Sequence, residues 1–129
     1  MYRLPVLAVF LLLSACLATN PYAPVPEQLG IKVRVFEDVV RWGDLRKMYV
    51  FAQPGSQVEV PAGLDTVRVT HYEVVDAHEI APWRWAQTAV INYVLTDRQV
   101  VRQLVDEQVW ASDDEGKTWY RDNPPPHFR

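Results

Sequence analysis

Thr66-Val67-Arg68-Val69-Thr70-His71-Tyr72-Glu73-Val74-Val75-Asp76 is the stretch that decides the fold. Valine, threonine and tyrosine dominate it, and such side chains suit a pleated, half-buried surface. Val67 and Val69 share one phase of alternation, whereas Tyr72 and Val74 share the other. A one-residue phase shift predicts a β-bulge near Thr70-His71. Downstream, Trp85 to Thr96 reads as a second strand, with Ala89, Ile91, Tyr93 and Leu95 on one face. Thr96-Asp97-Arg98-Gln99 makes a turn. Val100 to Ala111 follows as a third strand, with Val101, Val105 and Val109 along one face. Ser112 to Lys117 turns the chain again, and Thr118 to Asp122 reads as the fourth strand. Pro124-Pro125-Pro126 stops it, since proline cannot donate to a ladder. Short turns between long strands predict an antiparallel meander.

Upstream the period changes. Leu29, Val33, Phe36 and Val40 recur at helical spacing. Ile31, Val33 and Val35 also alternate with Lys32 and Arg34, but the stripe continues to Val39 and Val40, which favours a helix over 27–41. Gly43 breaks it. Asp44 reads as the N-cap of a second helix, with Leu45, Met48, Phe51 and Ala52 on one face and Pro54-Gly55 at its end. Gln57 to Gly63 reads as a short irregular or edge segment. Helices first and strands after predict an α+β fold, N-terminal helices packed on a four-stranded antiparallel meander. The domain spans 27–123, and 124–129 is a flexible tail.

The chain begins with Arg3 ahead of an apolar run, Leu4 to Leu13, too short to span a bilayer as a mature helix. Leu13-Ser14-Ala15-Cys16 follows it and holds the only cysteine of the protein. This arrangement resembles the lipobox of bacterial lipoprotein signal peptides. The resemblance implies that residues 1–15 are a signal peptide and that Cys16 becomes the mature N-terminus and carries acyl chains such as palmitate. Such chains contribute roughly 0.8 kcal/mol per buried methylene. The membrane is thus the first partner, reached through lipid on Cys16. In that family an aspartate after the cysteine tends to retain the protein at the inner membrane. Leu17 stands there, so the resemblance implies the periplasmic side of the outer membrane. Residues 16–26 contain Pro21, Pro24 and Pro26 and read as an extended tether.

The mature chain of 114 residues suffices for one small core. Without Arg3 it has 12 basic residues against 16 acidic ones, a net charge of −4. No basic patch stands out, which argues against a nucleic-acid partner. The chain has five tryptophans and six tyrosines, many for its length, and such side chains supply large buried area to a domain that has no cysteine for a disulfide.

The helical pair broken at Val40-Arg41-Trp42-Gly43-Asp44-Leu45, the Val67-Arg68-Val69-Thr70-His71-Tyr72 strand, Ile91-Asn92-Tyr93 and the hairpin from Gln108-Val109-Trp110 to Trp119-Tyr120 together resemble the nuclear transport factor 2-like (cystatin-like) superfamily. That resemblance implies a cone-like domain in which a curved sheet wraps helices, as in small bacterial lipoproteins of uncharacterised role. The superfamily holds isomerases, dehydratases and non-catalytic binding domains, so the fold leaves the activity open. Ser112-Asp113-Asp114-Glu115-Gly116-Lys117-Thr118-Trp119 is similar to the Asp-box pattern S-x-D-x-G-x-T-W. There Asp114 accepts from turn amides, Gly116 takes positive φ and Trp119 packs beneath. One copy without repeats excludes a propeller, and the box reads as a structural turn.

Chemistry has few candidates. His71, Glu73, Asp76, His78 and Glu79 form the densest group of possible ligands; His71 and Glu73 share a strand face, but the bulge and the loop that follows scatter the others, and no metal site or cofactor is expected. Asp106, in phase with Leu104 and Trp110, and Tyr93 are the best candidates for an acid or base within a cone, with Tyr72 and His71 as companions. The competing reading pairs Asp106 with Arg102 or a neighbouring-strand arginine on an exposed face. No serine–histidine–acid spacing, phosphate loop or nucleophilic cysteine is present. The expectation is a non-catalytic binding or scaffolding domain of the cell envelope, with Trp83 and Trp85 as the rim for an envelope protein partner. The alternative is a small-molecule-binding or isomerase/dehydratase-like site inside the cone.

Overall fold

The computed structural model describes residues 24–129. Residues 1–15, read from sequence as a signal peptide, Cys16 and the tether as far as residue 23 lie outside the described residues. The fold is α+β, with a four-stranded antiparallel sheet. Helix α1 spans Glu27–Trp42 and a 3-10 helix spans Leu45–Phe51; a second, short 3-10 helix, Leu64–Thr66, leads into the sheet. The strands β1 (Val67–Ala81), β2 (Arg84–Leu95), β3 (Val100–Ala111) and β4 (Tyr120–Arg121) lie side by side in chain order.

Helix α1 starts where Pro26 leaves helical geometry and its carbonyl accepts the Gly30 N–H at 2.8 Å. Glu27 in the first turn and Arg41 in the last suit the helix dipole. Its inner stripe is Leu29, Phe36 and Val40, all buried. Asp44 caps the next segment as expected, accepting from the Arg46 N–H at 3.0 Å. The Arg46 side chain also bonds Asp44, and the two contacts hold its carboxyl at a pKa of about 2. That segment is a 3-10 helix rather than α. Its seven residues, confined between Gly43 and Pro54, are too few to offset α-helix nucleation, and i→i+3 bonds such as Lys47 N–H to the Asp44 carbonyl (2.9 Å) close it.

The expected bulge is present: the β1–β2 register slips between Val69 and His71. It slips twice more, between Val74 and Asp76 and between Glu79 and Ala81. Strand β1 therefore runs to Ala81, beyond the Asp76 end read from sequence. Strand β2 alternates without fault, every odd position from Trp85 to Leu95 buried. Strand β4 is shorter than Thr118–Asp122, because the preceding turn and the Pro124–Pro126 run leave room for two ladder residues. The covered side of the sheet holds the core. There Phe36, Phe51 and Trp110 meet edge to face, with ring centroids 5.1, 5.4 and 6.2 Å apart.

The turn after β3 has the Asp-box geometry. Asp114 accepts from the Thr118 N–H (2.8 Å), the Thr118 hydroxyl (2.6 Å) and the Ser112 hydroxyl (2.8 Å). These bonds, Thr118 foremost, hold its carboxyl at about 2. Gly116 has φ +86 and Trp119 is buried beneath, its Nε1 donating to the Gly116 carbonyl at 3.2 Å. A Cβ on Gly116 would lie 2.8 Å from the Trp83 ring. Gly116→Ala is therefore expected to lower stability by about 1–3 kcal/mol. Gly55 has a similar φ of +82 but open space around it, so Gly55→Ala should cost less. Equal losses in urea melts of the two variants would show that the Trp83 contact contributes nothing.

Candidate functional site

Strands β2 and β3 place polar side chains at inward positions. Gln87 falls between Trp85 and Ala89, and Asp106 and Gln108 precede Trp110, all on the phase that packs against α1. Arg121 sits opposite Trp110 on β4, so its side chain can run back along β3 toward Asp106. The guanidinium reaches the carboxylate bidentately: Nη1 donates to Oδ2 at 2.9 Å and Nη2 to Oδ1 at 2.6 Å. Asp106 is 2 % exposed and Arg121 3 %. Arg121 also donates from Nε to the Asn123 carbonyl and from Nη2 to the Pro124 carbonyl, both at 3.2 Å.

Gln108 links this pair to the rest of the core. Its Nε2 donates to Tyr72 Oη (2.7 Å) and to Asp106 Oδ2 (3.0 Å). Its Oε1 accepts from Gln87 Nε2 (3.1 Å) and Trp110 Nε1 (2.9 Å). Both donors and both acceptor sites of the amide are thus used. Burial raises the Tyr72 phenol to about 12, so it stays protonated at neutral pH. Among the described residues no buried side-chain nitrogen or oxygen lacks a partner. A network satisfied throughout fixes side-chain positions and leaves nothing reaching outward.

The sequence candidates separate accordingly. Asp106 and Tyr72 meet through Gln108 in the core. Asp106 does pair with a neighbouring-strand arginine, but the pair is buried rather than on an exposed face, and Arg102 is not its partner. Tyr93 lies elsewhere: its hydroxyl donates to the Arg129 carbonyl (2.7 Å) and accepts from the Arg129 N–H (3.2 Å), while Phe128 stacks edge-on at 5.0 Å. Residues 124–129, read from sequence as a tail, thus lie against the sheet, with Pro125 buried. His71 stands exposed, 3.6 Å from Glu73, and His78 pairs with Asp76 at 2.8 Å.

Trp85 corrects the expected rim. It is 4 % exposed and belongs to the core, because the two-residue turn Pro82-Trp83 returns the chain with Trp85 on the inward phase. Trp83 is 45 % exposed, one ring face lying on the Asp-box turn. The residues that sequence reading missed are Arg121, Gln108 and Gln87. The glutamines carried a signal, since a polar residue in phase with Trp85, Ala89 and Trp110 must find a buried partner.

Outside the core, a cleft of about 400 Å³ lies between α1, the first 3-10 helix and the Asp-box turn. Ile31, Val35, Val50, Phe51 and Trp119 form its apolar walls, with Lys32 and Lys117 at its sides. A smaller cleft of about 230 Å³ shares Trp119 and is bordered by Pro24, Pro26, Trp83 and Trp85. The chain therefore joins the described domain beside the larger cleft. No protein-family model, curated protein or solved structure matches this chain.

Proposed function

We propose that the protein is a lipid-anchored envelope protein, acylated at Cys16 on the periplasmic side of the outer membrane, whose domain binds or scaffolds another envelope component without catalysis. The anchor rests on Leu13-Ser14-Ala15-Cys16 after its apolar run. The observation that carries the non-catalytic reading is the closure of Asp106. Both its oxygens hold the Arg121 guanidinium, and the linking amide of Gln108 is fully used. An isomerase or dehydratase-like site inside the sheet is not favoured by that arrangement, nor by Tyr93 facing the chain's own backbone. Three register slips in β1 support a curved, cone-like sheet, because each bulge bends its strand and adds twist.

The open face of the sheet supports a protein partner. Register places Val90 beside Val105 and Val94 beside Val101, all pointing away from α1. Val101 is 76 % exposed, and apolar side chains grouped this way mark contact surfaces. Trp83 remains a separate aromatic candidate, at the β1–β2 turn beside the Asp-box turn rather than on the valine face.

The test is fractionation of Cys16→Ser beside wild type, with intact mass as the readout. Wild type should carry the added mass of acyl chains and extract only with detergent, whereas the variant should lack that mass. A wild-type chain without acyl mass overturns the anchor. Crosslinking in intact cells then tests the scaffold reading: a stoichiometric envelope partner supports it, and none above background counts against it.

A further inference from the structure

We propose that the cleft between α1, the first 3-10 helix and the Asp-box turn is a docking surface for an anionic lipid bilayer, so that the domain lies against the membrane that holds it. The proposal rests on the anchored reading above and gives the domain an orientation.

Helix α1 bears two apolar stripes. Leu29, Phe36 and Val40 form one and are buried in the core. Ile31 and Val35 form the other, at i and i+4, and both are exposed; Asp38, at i+7 on the same face, ends the apolar run before Trp42. A surface helix with one core-facing stripe needs no second. Val50, 79 % exposed on the neighbouring 3-10 helix, extends this stripe sideways. Ile31, Val35 and Val50 line the cleft together with Phe51 and Trp119 and form one apolar patch.

Charge selects the occupant. The chain has three lysines, Lys32, Lys47 and Lys117. Lys32 and Lys117 line the cleft, and no carboxylate does. Lys47 stands three residues before Val50, and in a 3-10 helix i and i+3 eclipse, so it shares the Val50 face. A protein with net charge −3 thus gathers every lysine around one apolar patch. Apolar side chains ringed by lysine match an interface with acyl chains below and anionic headgroups at its rim. Lysine suits that role because its stem can lie along apolar surface while its ammonium reaches the headgroups.

Position agrees with charge. Pro24 and Pro26 border the neighbouring cleft, which shares Trp119 with this one. Cys16 is eight residues before Pro24, a reach of at most about 28 Å at full extension. A tether of that length holds the patch at high effective concentration over the bilayer, so weak docking suffices. The valine face of the sheet, on the side away from α1, is then left free for a protein partner.

Acylation consumes the thiol of Cys16, so Val50→Cys on the full lipidated chain is a single attachment point for an environment-sensitive fluorophore. Val101→Cys, on the open sheet face, is its control. In vesicles of mixed phosphatidylcholine and phosphatidylglycerol, the Val50 probe should shift to the blue and be quenched by spin-labelled lipid. The Val101 probe should remain water-like. In phosphatidylcholine alone or in high salt the Val50 signal should fall. Lys32→Glu and Lys117→Glu should each lower the docked-to-free ratio roughly fivefold or more. A water-like Val50 probe on anionic vesicles overturns the proposal, as does an equal response at Val101. A shift that follows protein density and ignores lipid charge assigns the patch to a second copy and also overturns it. Failure of the anchor reads differently: intact mass shows no acyl group, and Cys16 takes a second label. Vesicles added to that chain, with Cys16→Ser introduced, still decide whether Val50 and the lysines meet the bilayer.

Discussion

Asp106→Ala is expected to lower the unfolding free energy by about 3–5 kcal/mol, enough to unfold much of a marginally stable domain. The reason is the group left behind. Arg121 is 3 % exposed and spends two of its N–H groups on this carboxylate, so the truncation strands a guanidinium in the core. Gln108 Nε2 loses one of its two acceptors at the same time. A paired substitution separates the cost of the orphan from the value of the pair. Asp106→Leu with Arg121→Met removes both charges, keeps most of the volume and retains contact with the Phe36 ring, which Arg121 now overlies at 5.4 Å. That double variant should recover most of the loss, since buried ion pairs are often near neutral against well-packed apolar replacements. Urea melts of the three chains decide it. A loss below about 1 kcal/mol in Asp106→Ala would mean that water reaches Arg121, and the closed-core argument would fall with it.

The same substitution bears on function. If the core were a reaction site, Asp106→Asn would lower activity beyond its loss of folded protein, since one oxygen still accepts from Arg121 while the amide nitrogen faces a donor and the counter-charge is gone. With a scaffold, Asp106→Asn should leave partner capture in cells in proportion to the folded protein that remains. The open valine face lies on the opposite side of the sheet from Asp106, and the lysine-lined cleft lies on other elements, so a folded variant should retain both.

Much of the fold is legible from periodicity, and the limits are physical. The phase shift between Val69 and Tyr72 locates the first bulge because two valines and a tyrosine mark the inward side on either flank. The slip at Val75 is silent, since Val74, Val75 and Asp76 offer no contrast at a partly uncovered edge, and β1 therefore seemed to end early. The 3-10 helix reads as α because Leu45, Met48 and Phe51 satisfy both periods over seven residues. Trp85 misleads through composition: Pro82-Trp83-Arg84-Trp85 looks like a surface loop, yet a two-residue turn sends alternate tryptophans out and in. Arg121 was beyond reach. Its pairing with Asp106 depends on β4 lying beside β3, so that one long side chain passes Gln108, and one-dimensional spacing does not carry that.

Trp110→Ala should be the most damaging aromatic truncation, with an expected loss of about 3–5 kcal/mol. The ring is fully buried and meets both Phe36 and Phe51 edge to face, so its removal leaves two aromatics facing a void between α1, the 3-10 helix and β3. It also takes a donor from Gln108 Oε1, leaving Gln87 as the sole partner of that oxygen. Trp110→Phe divides the two effects. It retains much of the packing and loses the indole N–H, so most of the aromatic contact should survive while the hydrogen bond, worth about 1 kcal/mol, does not. Trp83→Ala serves as the surface comparison and should cost clearly less, because nearly half of that residue is already in water. Thermal melts give the order Trp110→Ala, Trp110→Phe, Trp83→Ala from least to most stable. If Trp83→Ala proved the worst, the stability of this disulfide-free domain would reside in the Asp-box contact rather than in the Phe36–Phe51–Trp110 cluster. That cluster joins α1, which carries the exposed Ile31 and Val35, to the sheet that carries the valine face. Loosening it should therefore weaken both surfaces together, whereas damage at Trp83 should leave the exposed apolar residues of α1 in place.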